Sequence, residues 1–278
     1  MLRRPGLKTV VTIHGLEYQW LKEYKNWLQK WYLPLSTMYA AKNATKLIAV
    51  SKFTKKQLEN ELHTNSKKIK VVYEGVATHT PGVKGSHTLG VLKSGSVWGK
   101  YGLLYKKYVL FVGTVQPRKN LVALVEAFSQ TKIPKLVIAG SIGWMAEEIL
   151  GAPLKWGVQD RVMFTGRVSD LELELLYQGA GLYVQPSITE GFGLPILEAM
   201  MTGVPVISSD GGALPEVVGK AGLIVGLGNE FEQRLTKAMK LMTSDKKFQN
   251  KLISMGYERA KEFNWDRAAK ETLEILVG

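Results

Sequence analysis

Short apolar segments alternate with helical segments along most of the chain, and this alternation limits the folds that the sequence can adopt. Helical patterns at 120–130, 170–178 and 194–202 separate several of the apolar segments. Nearly continuous apolar strands are typical of parallel sheets that are covered on both faces, so the sequence predicts an α/β fold. The nine predicted strands are 8–13, 47–50, 69–73, 108–112, 135–139, 161–165, 181–185, 204–208 and 222–225.

A change in composition divides this pattern into two parts. Residues 75–106 are rich in Gly, Ser, Thr and Lys and weakly periodic, so we interpret them as a linker between two α/β domains. Six strands follow the linker, and the second domain, 107–262, is expected to be complete. Only three strands precede it, so the first domain, 1–106 with the linker, is expected to be incomplete. Residues 265–276 predict a final amphipathic helix with Ala269, Leu273 and Leu276 on one face.

The positive charge is concentrated in the first part of the chain. Residues 1–107 hold 19 Lys or Arg and 5 Asp or Glu, whereas residues 108–278 hold 18 Lys or Arg and 19 Asp or Glu. The net charges of the two parts are therefore +14 and −1. Such asymmetry favours an anionic partner for the first part, either nucleic acid or an anionic membrane surface. No nucleic-acid motif is present, so we predict no nucleic-acid partner. The aromatic and basic segment 18–32 fits a membrane interface, or an amphipathic helix whose tryptophans face the core or the strands expected before residue 1; we favour the second.

Several classes of protein are disfavoured by composition. The chain has no cysteine, which excludes disulfides and thiolate chemistry and fits a reducing compartment. Four histidines lie far apart in sequence, and no zinc site is predicted. No apolar run reaches the roughly 18 residues of a membrane span, and the first residues do not resemble a signal peptide. We therefore expect a cytoplasmic protein, or one peripheral to the inner face of the membrane. A dinucleotide-binding dehydrogenase is disfavoured because G-x-G-x-x-G does not follow the first strand.

The most specific motif follows the strand at 181–185. It reads Pro186-Ser-Ile-Thr-Glu190-Gly-Phe-Gly-Leu-Pro-Ile-Leu-Glu198 and passes from a glycine-rich loop into a helix. Ligands of open α/β sheets bind outside the carboxyl ends of the strands, where Glu190 should lie, with Glu198 about two turns along the helix. Gly191 and Gly193 let the backbone approach a ligand and present N–H groups. Carboxylates there suit neutral hydroxyls, so a phosphate needs other partners.

Two further loops occupy the same strand-to-helix position. Gly113-Thr-Val-Gln-Pro-Arg118-Lys119-Asn120 offers a guanidinium fork and an ammonium beside a helix dipole, which suits phosphate. Alone, such a pair is more often a solvated surface pair. Phe164-Thr-Gly-Arg167-Val168-Ser169-Asp170 carries a helix cap at Ser169 or Asp170. That loop suits a planar base held by backbone groups, and it is equally consistent with an ordinary capped turn.

Taken together, these stretches resemble the retaining glycosyltransferases of family 4 (glycosyltransferases group 1), which have the GT-B fold of two Rossmann-like domains. The resemblance includes the two glutamates eight residues apart and the following Gly203-Val-Pro-Val-Ile-Ser-Ser-Asp210-Gly-Gly-Ala-Leu-Pro-Glu216. Thr12-Ile-His14-Gly-Leu resembles the strand-end histidine motif of the family. The segment 263–278 resembles its C-terminal helix, which crosses back to the first domain. The first strands of the family are expected before residue 1.

The resemblance implies a role for each matching residue. Arg118 and Lys119 bind the donor diphosphate and stabilise the departing nucleotide, Glu190 contacts the sugar hydroxyls, and His14 lies in the cleft; these four form the expected catalytic set. Glu198 contacts the ribose, and Arg167 with Val168 contacts the base. The expected donor-binding set is Gly113, Arg167, Val168, Gly191, Phe192, Gly193, Leu194 and Glu198. For Asp210 and Glu216 we predict a structural role as a loop and cap pair.

The resemblance also implies an activity. It is the transfer of a hexose-type sugar, such as mannose, from a nucleotide-diphosphate sugar to a glycan or lipid-linked acceptor, with retention of configuration. No cofactor or metal is expected, which agrees with the lack of an Asp-x-Asp motif. Two alternatives stay open because the first domain is expected to be incomplete. The chain is then a non-catalytic nucleotide-sugar-binding fragment, or the donor half of a split transferase whose missing part comes from a separate chain.

Overall fold

The computed structural model describes residues 8–16, 27–76 and 97–278. Within these ranges the nine predicted strands are all present, and the α/β prediction is confirmed. The strands are β1 (Val10–Ile13), β2 (Lys46–Ala49), β3 (Ile69–Val71), β4 (Tyr108–Val112), β5 (Lys135–Ala139), β6 (Val162–Gly166), β7 (Leu182–Gln185), β8 (Val206–Ser209) and β9 (Leu223–Val225).

Eleven α-helices lie between and after the strands in the described ranges. The helices predicted at 120–130, 170–178 and 194–202 are confirmed to within a residue at each end. The helices are α1 (Trp27–Asn43), α2 (Lys52–Glu61), α3 (Val97–Lys100), α4 (Leu121–Ser129), α5 (Glu147–Lys155), α6 (Asp170–Gly179), α7 (Leu194–Met201), α8 (Leu214–Val218), α9 (Phe231–Ser244), α10 (Lys246–Lys261) and α11 (Trp265–Val277).

The strands form two parallel sheets. The first has the order β1-β2-β3 and the second the order β6-β5-β4-β7-β8-β9. In the second sheet the chain moves outwards in one direction from β4 to β6 and then in the other from β7 to β9. The loops that follow β4 and β7 therefore diverge at the carboxyl edge and leave a crevice, which is where open α/β sheets bind ligands.

Helices cover both faces of the six-stranded sheet. Val109 and Phe111 of β4 point into a cluster formed with α4, α5 and α9, while Tyr108 and Leu110 point into a second cluster formed with α6, α7 and α8. All four side chains are almost fully buried. Because complete burial of one large apolar side chain contributes roughly 1.5–3 kcal/mol, these two layers fix the sheet on which the crevice is built.

The last part of the segment interpreted as a linker packs against the second unit. Residues 77–96 lie outside the described ranges. Residues 97–106 instead belong to the second unit: Leu103 is buried in the cluster on α6, Trp98 packs against the same cluster, and Lys100 forms an ion pair with Glu172. The short helix α3, which carries Trp98, was not predicted because four helical residues are too few to show a periodicity.

The last helix joins the two sheets through a face that differs from the predicted one. Ala268 is buried against Ile48 and Val72 beside the first sheet, and Ile275 packs on the same cluster. The face predicted for contact, Ala269, Leu273 and Leu276, is exposed. Both sets have helical spacing and lie about 100° apart, so periodicity does not separate them. Gly75 approaches the Asn264–Trp265 backbone so closely that a Cβ would overlap it, so the start of the helix packs directly on the first unit.

No helix in the described ranges combines the length and the apolar character that crossing a membrane requires.

Candidate active site

Two loops meet at the carboxyl edge of the six-stranded sheet. After β4 the chain passes through a single 3-10 turn, Pro117–Lys119, and Asn120 in the left-handed conformation leads into α4. After β7 the loop 186–193 leads into α7. The two backbones are joined directly, because the N–H of Ile188 donates to the carbonyl oxygen of Arg118 at 2.8 Å. This contact brings the glutamate motif and the basic motif into one site.

A carboxylate with two cations forms the centre of this site. Glu190 Oε2 accepts from Arg118 Nη1 at 2.8 Å, and Glu190 Oε1 accepts from Lys119 Nζ at 2.5 Å. The three residues are buried, with 9%, 8% and 7% of their surface exposed for Arg118, Lys119 and Glu190. We call them the charged triad. The sequence predicted that all three face the ligand, and the structure shows in addition that they bind one another.

Neutral side chains complete the hydrogen bonding of Glu190. Its Oε1 also accepts from Gln185 Nε2 at 2.8 Å and from Ser187 Oγ at 2.6 Å, and Tyr183 donates to Gln185 Oε1. Burial alone raises the pKa of Glu190, but Lys119 and Arg118 outweigh it and hold the pKa below the ordinary value. Glu190 is therefore ionised at neutral pH. A polar residue such as Gln185 at the end of an apolar strand was the signal that could have predicted this shell.

The second carboxylate of the motif accepts a hydrogen bond from a neutral side chain. Tyr177, near the end of α6, donates its hydroxyl to Glu198 Oε2 at 2.7 Å. Glu198 lies on α7 as predicted, but about one turn into the helix, because α7 begins only at Leu194. Burial, and then the charges of neighbouring groups that include Glu198, raise the pKa of Tyr177 well above its usual value. Tyr177 thus stays protonated and acts as a donor. One oxygen of Glu198 is fixed by Tyr177, and Glu198 itself is only partly buried.

His14 lies at the end of β1, next to the motif loop. Its side chain is 71% exposed, and its Nδ1 lies 2.8 Å from Glu74 Oε1, beyond the end of β3. The backbone of His14 is the closer neighbour of the motif, since a Cβ at Gly191 would overlap the carbonyl oxygen of His14. Gly191 is therefore required for close approach of the two sheets, in addition to any approach to a ligand. Glu74 was not predicted as a partner of His14.

The remaining predicted donor residues have different surroundings. Gly113 directly follows β4, and Arg167 is exposed after β6, with Val168 packed beneath it. Gly193 has φ of 122°, in the region that favours glycine, and Leu194 begins α7. The side chain of Phe192 points away from the crevice into an aromatic cluster with Tyr73 and Phe263, at centroid distances of 6.1 and 5.7 Å. For Phe192, only the backbone remains available to a ligand.

Backbone and side-chain hydrogen bonds tie the motif loop to the first sheet. Ser51 Oγ and Thr54 Oγ1 donate to the carbonyl oxygen of Gly191 at 2.7 and 3.2 Å. Glu216, at the start of α8, accepts from the backbone N–H groups of Lys52 and Phe53 in the first turn of α2, at 3.0 and 3.3 Å. The cap role predicted for Glu216 is thus fulfilled across the two units.

Two smaller features agree with the predicted structural roles. Asp210 accepts from the N–H of Leu227 at 2.8 Å and fastens a loop. Ser169 caps α6 and forms a reciprocal capping box with Glu172.

Within the described part of the chain, no group of three or more Asp, Glu or His side chains is placed to hold a metal ion.

Comparison with known proteins identifies the family. Residues 102–259 match the family model of the glycosyl transferases group 1, and residues 1–80 match that of Glycosyltransferase Family 4. O-antigen chain mannosyltransferase B of Escherichia coli is 35% identical over 181 residues, which are 63% of this chain and 46% of that protein. O-antigen chain mannosyltransferase RfbU of Salmonella typhimurium is 24% identical over 265 residues, 92% of this chain and 68% of that protein. The chain thus spans about half the length of the first of these relatives.

Solved structures share the fold. Sucrose-phosphate synthase from Thermosynechococcus elongatus superposes with a TM-score of 0.78 at 24% identity, covering 96% of this chain and 66% of that one. Anabaena HepE, in complex with UDP and glucose, gives a TM-score of 0.79 at 20% identity, covering 97% and 71%. The GT-B fold class, two Rossmann-like units, is confirmed. Since the first family model covers more than half of the chain and both loops of the charged triad, the chain belongs to the glycosyl transferases group 1.

Proposed function

We propose that this protein transfers a hexose, with mannose as the first sugar to test, from a nucleotide-diphosphate sugar to a glycan or lipid-linked acceptor. The observation that carries the proposal is the charged triad at the carboxyl edge of the six-stranded sheet, where that sheet meets the first one. The named functions of the mannosyltransferase relatives support a mannosyl donor. The UDP and glucose in the Anabaena structure support a nucleotide-sugar site in this fold.

The triad explains how a diphosphate and a sugar could share one site. With both cations charged and Glu190 ionised, the triad carries a net charge of +1. An arriving diphosphate attracts Arg118 and Lys119, which then exchange one anionic partner for another. Glu190 keeps the donors of Gln185 and Ser187 and offers its freed lone pairs to sugar hydroxyls. The donor is thus bound by replacement of contacts, without leaving a buried charge unpaired.

The same residues can assist the chemical step. In the proposed reaction the acceptor hydroxyl oxygen bonds to the anomeric carbon, the bond from that carbon to the diphosphate oxygen breaks, and the acceptor proton passes to the departing phosphate. Arg118 and Lys119 stabilise the charge that develops on this phosphate, so the proposed step needs no metal. Attack from the face of the leaving group gives retention. Product stereochemistry tests this point, and an inverted anomer would contradict it.

The other donor residues retain the roles that the family resemblance implies. Glu198, oriented by Tyr177, accepts from the ribose hydroxyls. Gly113 and the backbone of 191–194 lie along the diphosphate and sugar, Arg167 and Val168 contact the base, and His14 contacts the transferred sugar. The exposed side chain of His14 and its Glu74 partner support a role at the open side of the crevice.

Two further proposals concern partners. Because the chain covers 46% of mannosyltransferase B, a non-catalytic binding fragment and the donor half of a split transferase, completed by a separate chain, remain alternative functions. Attachment to an anionic membrane from the cytoplasmic side through 18–32 also stays a proposal. Of that segment only 27–32 lie in described ranges, where Trp31 and Tyr32 are exposed.

A calorimetric donor screen tests the proposed function. UDP, GDP, ADP and their hexose conjugates are titrated without metal into the wild type, the Arg118→Gln variant and an exposed-lysine control, Lys220→Gln. We expect one nucleotide to bind, the Arg118 variant to lose at least about tenfold in affinity, and the control to match the wild type. Failure of every nucleotide to bind the folded wild type would reject the donor site. Binding without turnover, restored by an added candidate partner chain, would support the split-transferase alternative.

A further inference from the structure

A second cavity lies at the opposite edge of the six-stranded sheet. It has a volume of about 580 Å³ and opens where β4, β5 and β7 begin, between the end of α9 and the start of α10. That volume falls within the range of small-molecule sites, roughly 300–1,000 Å³. The charged triad lies at the carboxyl ends of the strands, so this cavity is separated from it by the length of the sheet.

The lining of the cavity has one sign of charge. Its described lining residues include five lysines and no Asp or Glu, namely Lys106, Lys107, Lys132, Lys240 and Lys246. Three of them, Lys132, Lys240 and Lys246, belong to residues 108–278, which as a whole carry a net charge of −1. Lysines from four separate segments of the chain thus converge on one cavity.

The floor and walls provide both polar and apolar contacts. The buried side chains of Thr131 and Gln249 lie at the floor, and Lys246 Nζ donates to Gln249 Oε1 at 2.9 Å. Val109, Ile133, Pro134 and Leu182 form an apolar surface. Arg161 bonds the carbonyl oxygens of Thr131 and Ile133, each at 2.8 Å, and so holds the adjoining loop in place. The cavity is therefore formed by braced segments.

Lys106 is held here at a conformational cost. Its φ is 58°, in the left-handed region that favours glycine, and its backbone N–H donates to the carbonyl oxygen of Gly179 at 2.7 Å. Its ammonium lies 5.5 Å from the ring centre of Tyr105. Burial lowers the pKa of Lys106 to about 8, and no carboxylate among the described residues opposes this shift. A partly buried ammonium with no carboxylate partner among the described residues favours an anionic ligand.

A simpler explanation accounts for only some of these lysines. The C-termini of α4, α6 and α9 lie at this edge, and their partial negative charge stabilises nearby cations. Lys240, in the last turns of α9, fits that explanation. It does not explain why Lys106, in the turn closed by the Lys107 N–H and the Leu104 carbonyl, is partly buried at the cavity without a described carboxylate beside it.

We propose that the cavity at the amino edge of the six-stranded sheet is a second ligand site, which binds a small organic phosphate. The lysines would bind the phosphate groups, and the apolar surface would contact the organic part. The ligand class includes phosphorylated sugars and nucleotides, which share this chemistry. The proposal does not depend on the function of the charged triad.

Lysine footprinting of the full chain tests the proposal at residue resolution. The protein is treated briefly with an amine-acylating reagent, alone or with inorganic pyrophosphate, a hexose bisphosphate or a nucleoside diphosphate, and acylated peptides are measured by mass spectrometry. Free Lys106 should react faster than the exposed lysines, because more of it is unprotonated. A bound phosphate that raises the pKa by about one unit should slow acylation of Lys106 about tenfold. Lys237, exposed on α9 outside the cavity, is the internal reference.

A matched pair of variants provides the second measurement. Lys106→Gly removes the cation and relaxes the backbone, so the variant should fold with an unchanged or higher melting temperature. It should bind the organic phosphate at least about tenfold more weakly, as measured by calorimetry. Lys237→Ala removes one charge elsewhere on the surface and should bind like the wild type. Arg118→Gln should keep the protection of Lys106, which assigns the effect to the cavity and not to the charged triad.

The outcomes separate the possibilities. Protection by a sugar phosphate but not by a nucleotide, or the reverse, supports the proposal and identifies the source. If pyrophosphate were the one probe that protected Lys106, the proposal of an organic ligand would be rejected. Equal acylation of Lys106 with and without every probe, in protein shown to be folded, would overturn the site and leave these lysines as partners of the helix C-termini.

Discussion

The two edges of the six-stranded sheet both concentrate positive charge, but they compensate it in different ways. At the carboxyl edge, Arg118 and Lys119 are buried against the carboxylate of Glu190. At the amino edge, five lysines surround a cavity that no described carboxylate lines. The four exposed lysines of the amino edge are compensated by water and salt, and the two deeply buried cations of the carboxyl edge are compensated by the chain itself. Lys106 lies between these cases, because it is partly buried and has no carboxylate partner among the described residues.

The two sites should therefore respond differently to a ligand. A ligand at the carboxyl edge must displace an existing ion pair, and it gains from releasing Glu190 to new donors. A ligand at the amino edge meets cations that have no carboxylate to give up. Four predictions test this contrast, ordered from the largest expected effect to the smallest.

Removal of the internal counter-ion should have the largest effect. Glu190→Ala removes the carboxylate that neutralises two buried cations, and we expect a loss of about 3–5 kcal/mol in the free energy of unfolding. Urea unfolding at neutral pH measures this loss. Glu258→Ala, which removes an exposed carboxylate paired with Lys261, is the control and should change stability by less than about 1 kcal/mol. If both variants lost equally little free energy of unfolding, Glu190 would not be an essential counter-ion of Arg118 and Lys119.

The same carboxylate should make stability dependent on acid pH. The pKa of Glu190 is lower in the folded chain than its ordinary value, so its contribution is fully present above the unfolded-state pKa of about 4.3 and is lost as pH falls through the folded value. Between these values wild type should lose up to about 1.4 kcal/mol per pH unit relative to Glu190→Gln. Unfolding curves at a series of pH values below 5 provide the measurement; parallel curves for the two proteins would contradict the shift.

A smaller effect is expected at the second carboxylate of the motif. Tyr177→Phe removes the hydroxyl that donates to Glu198 but leaves the aromatic ring in place. We expect a stability loss of about 1 kcal/mol, and a weaker nucleotide affinity because Glu198 is no longer oriented. Thermal unfolding and nucleotide titration measure the two quantities. Tyr257→Phe, on α10 away from the crevice, is the control, and an equal loss of affinity in that variant would remove the positioning role of Tyr177.

The smallest effect should come from an exposed lysine at the amino edge. Lys132→Gln removes one rim cation that has no ion pair among the described contacts, so stability in the absence of ligand should change by less than about 0.5 kcal/mol. Urea unfolding gives this value. A loss as large as that of Glu190→Ala would show that both edges depend on internal compensation, and it would end the contrast between them.

Elements with strong local patterns could be predicted, and contacts between distant segments could not. The apolar runs identified all nine strands, and the motifs placed Glu190, Arg118 and Lys119 near one another. The pairing of these charges depends on how two loops about 70 residues apart meet, which no local pattern encodes. The cavity at the amino edge is an extreme example, because its lysines come from separate segments of ordinary composition. The predicted contact face of α11 was wrong because two neighbouring sets of apolar residues on this helix have the same spacing.

The capping of α2 by Glu216 has a consequence for motion. The first two amide groups of this helix, Lys52 and Phe53, hydrogen-bond to a carboxylate that belongs to the other unit. If the two units separate during a catalytic cycle, the helix loses its cap at the same moment. Hydrogen–deuterium exchange at these two amides would therefore record each opening event. The molecule contains its own reporter of cleft opening, which requires no dye or engineered label.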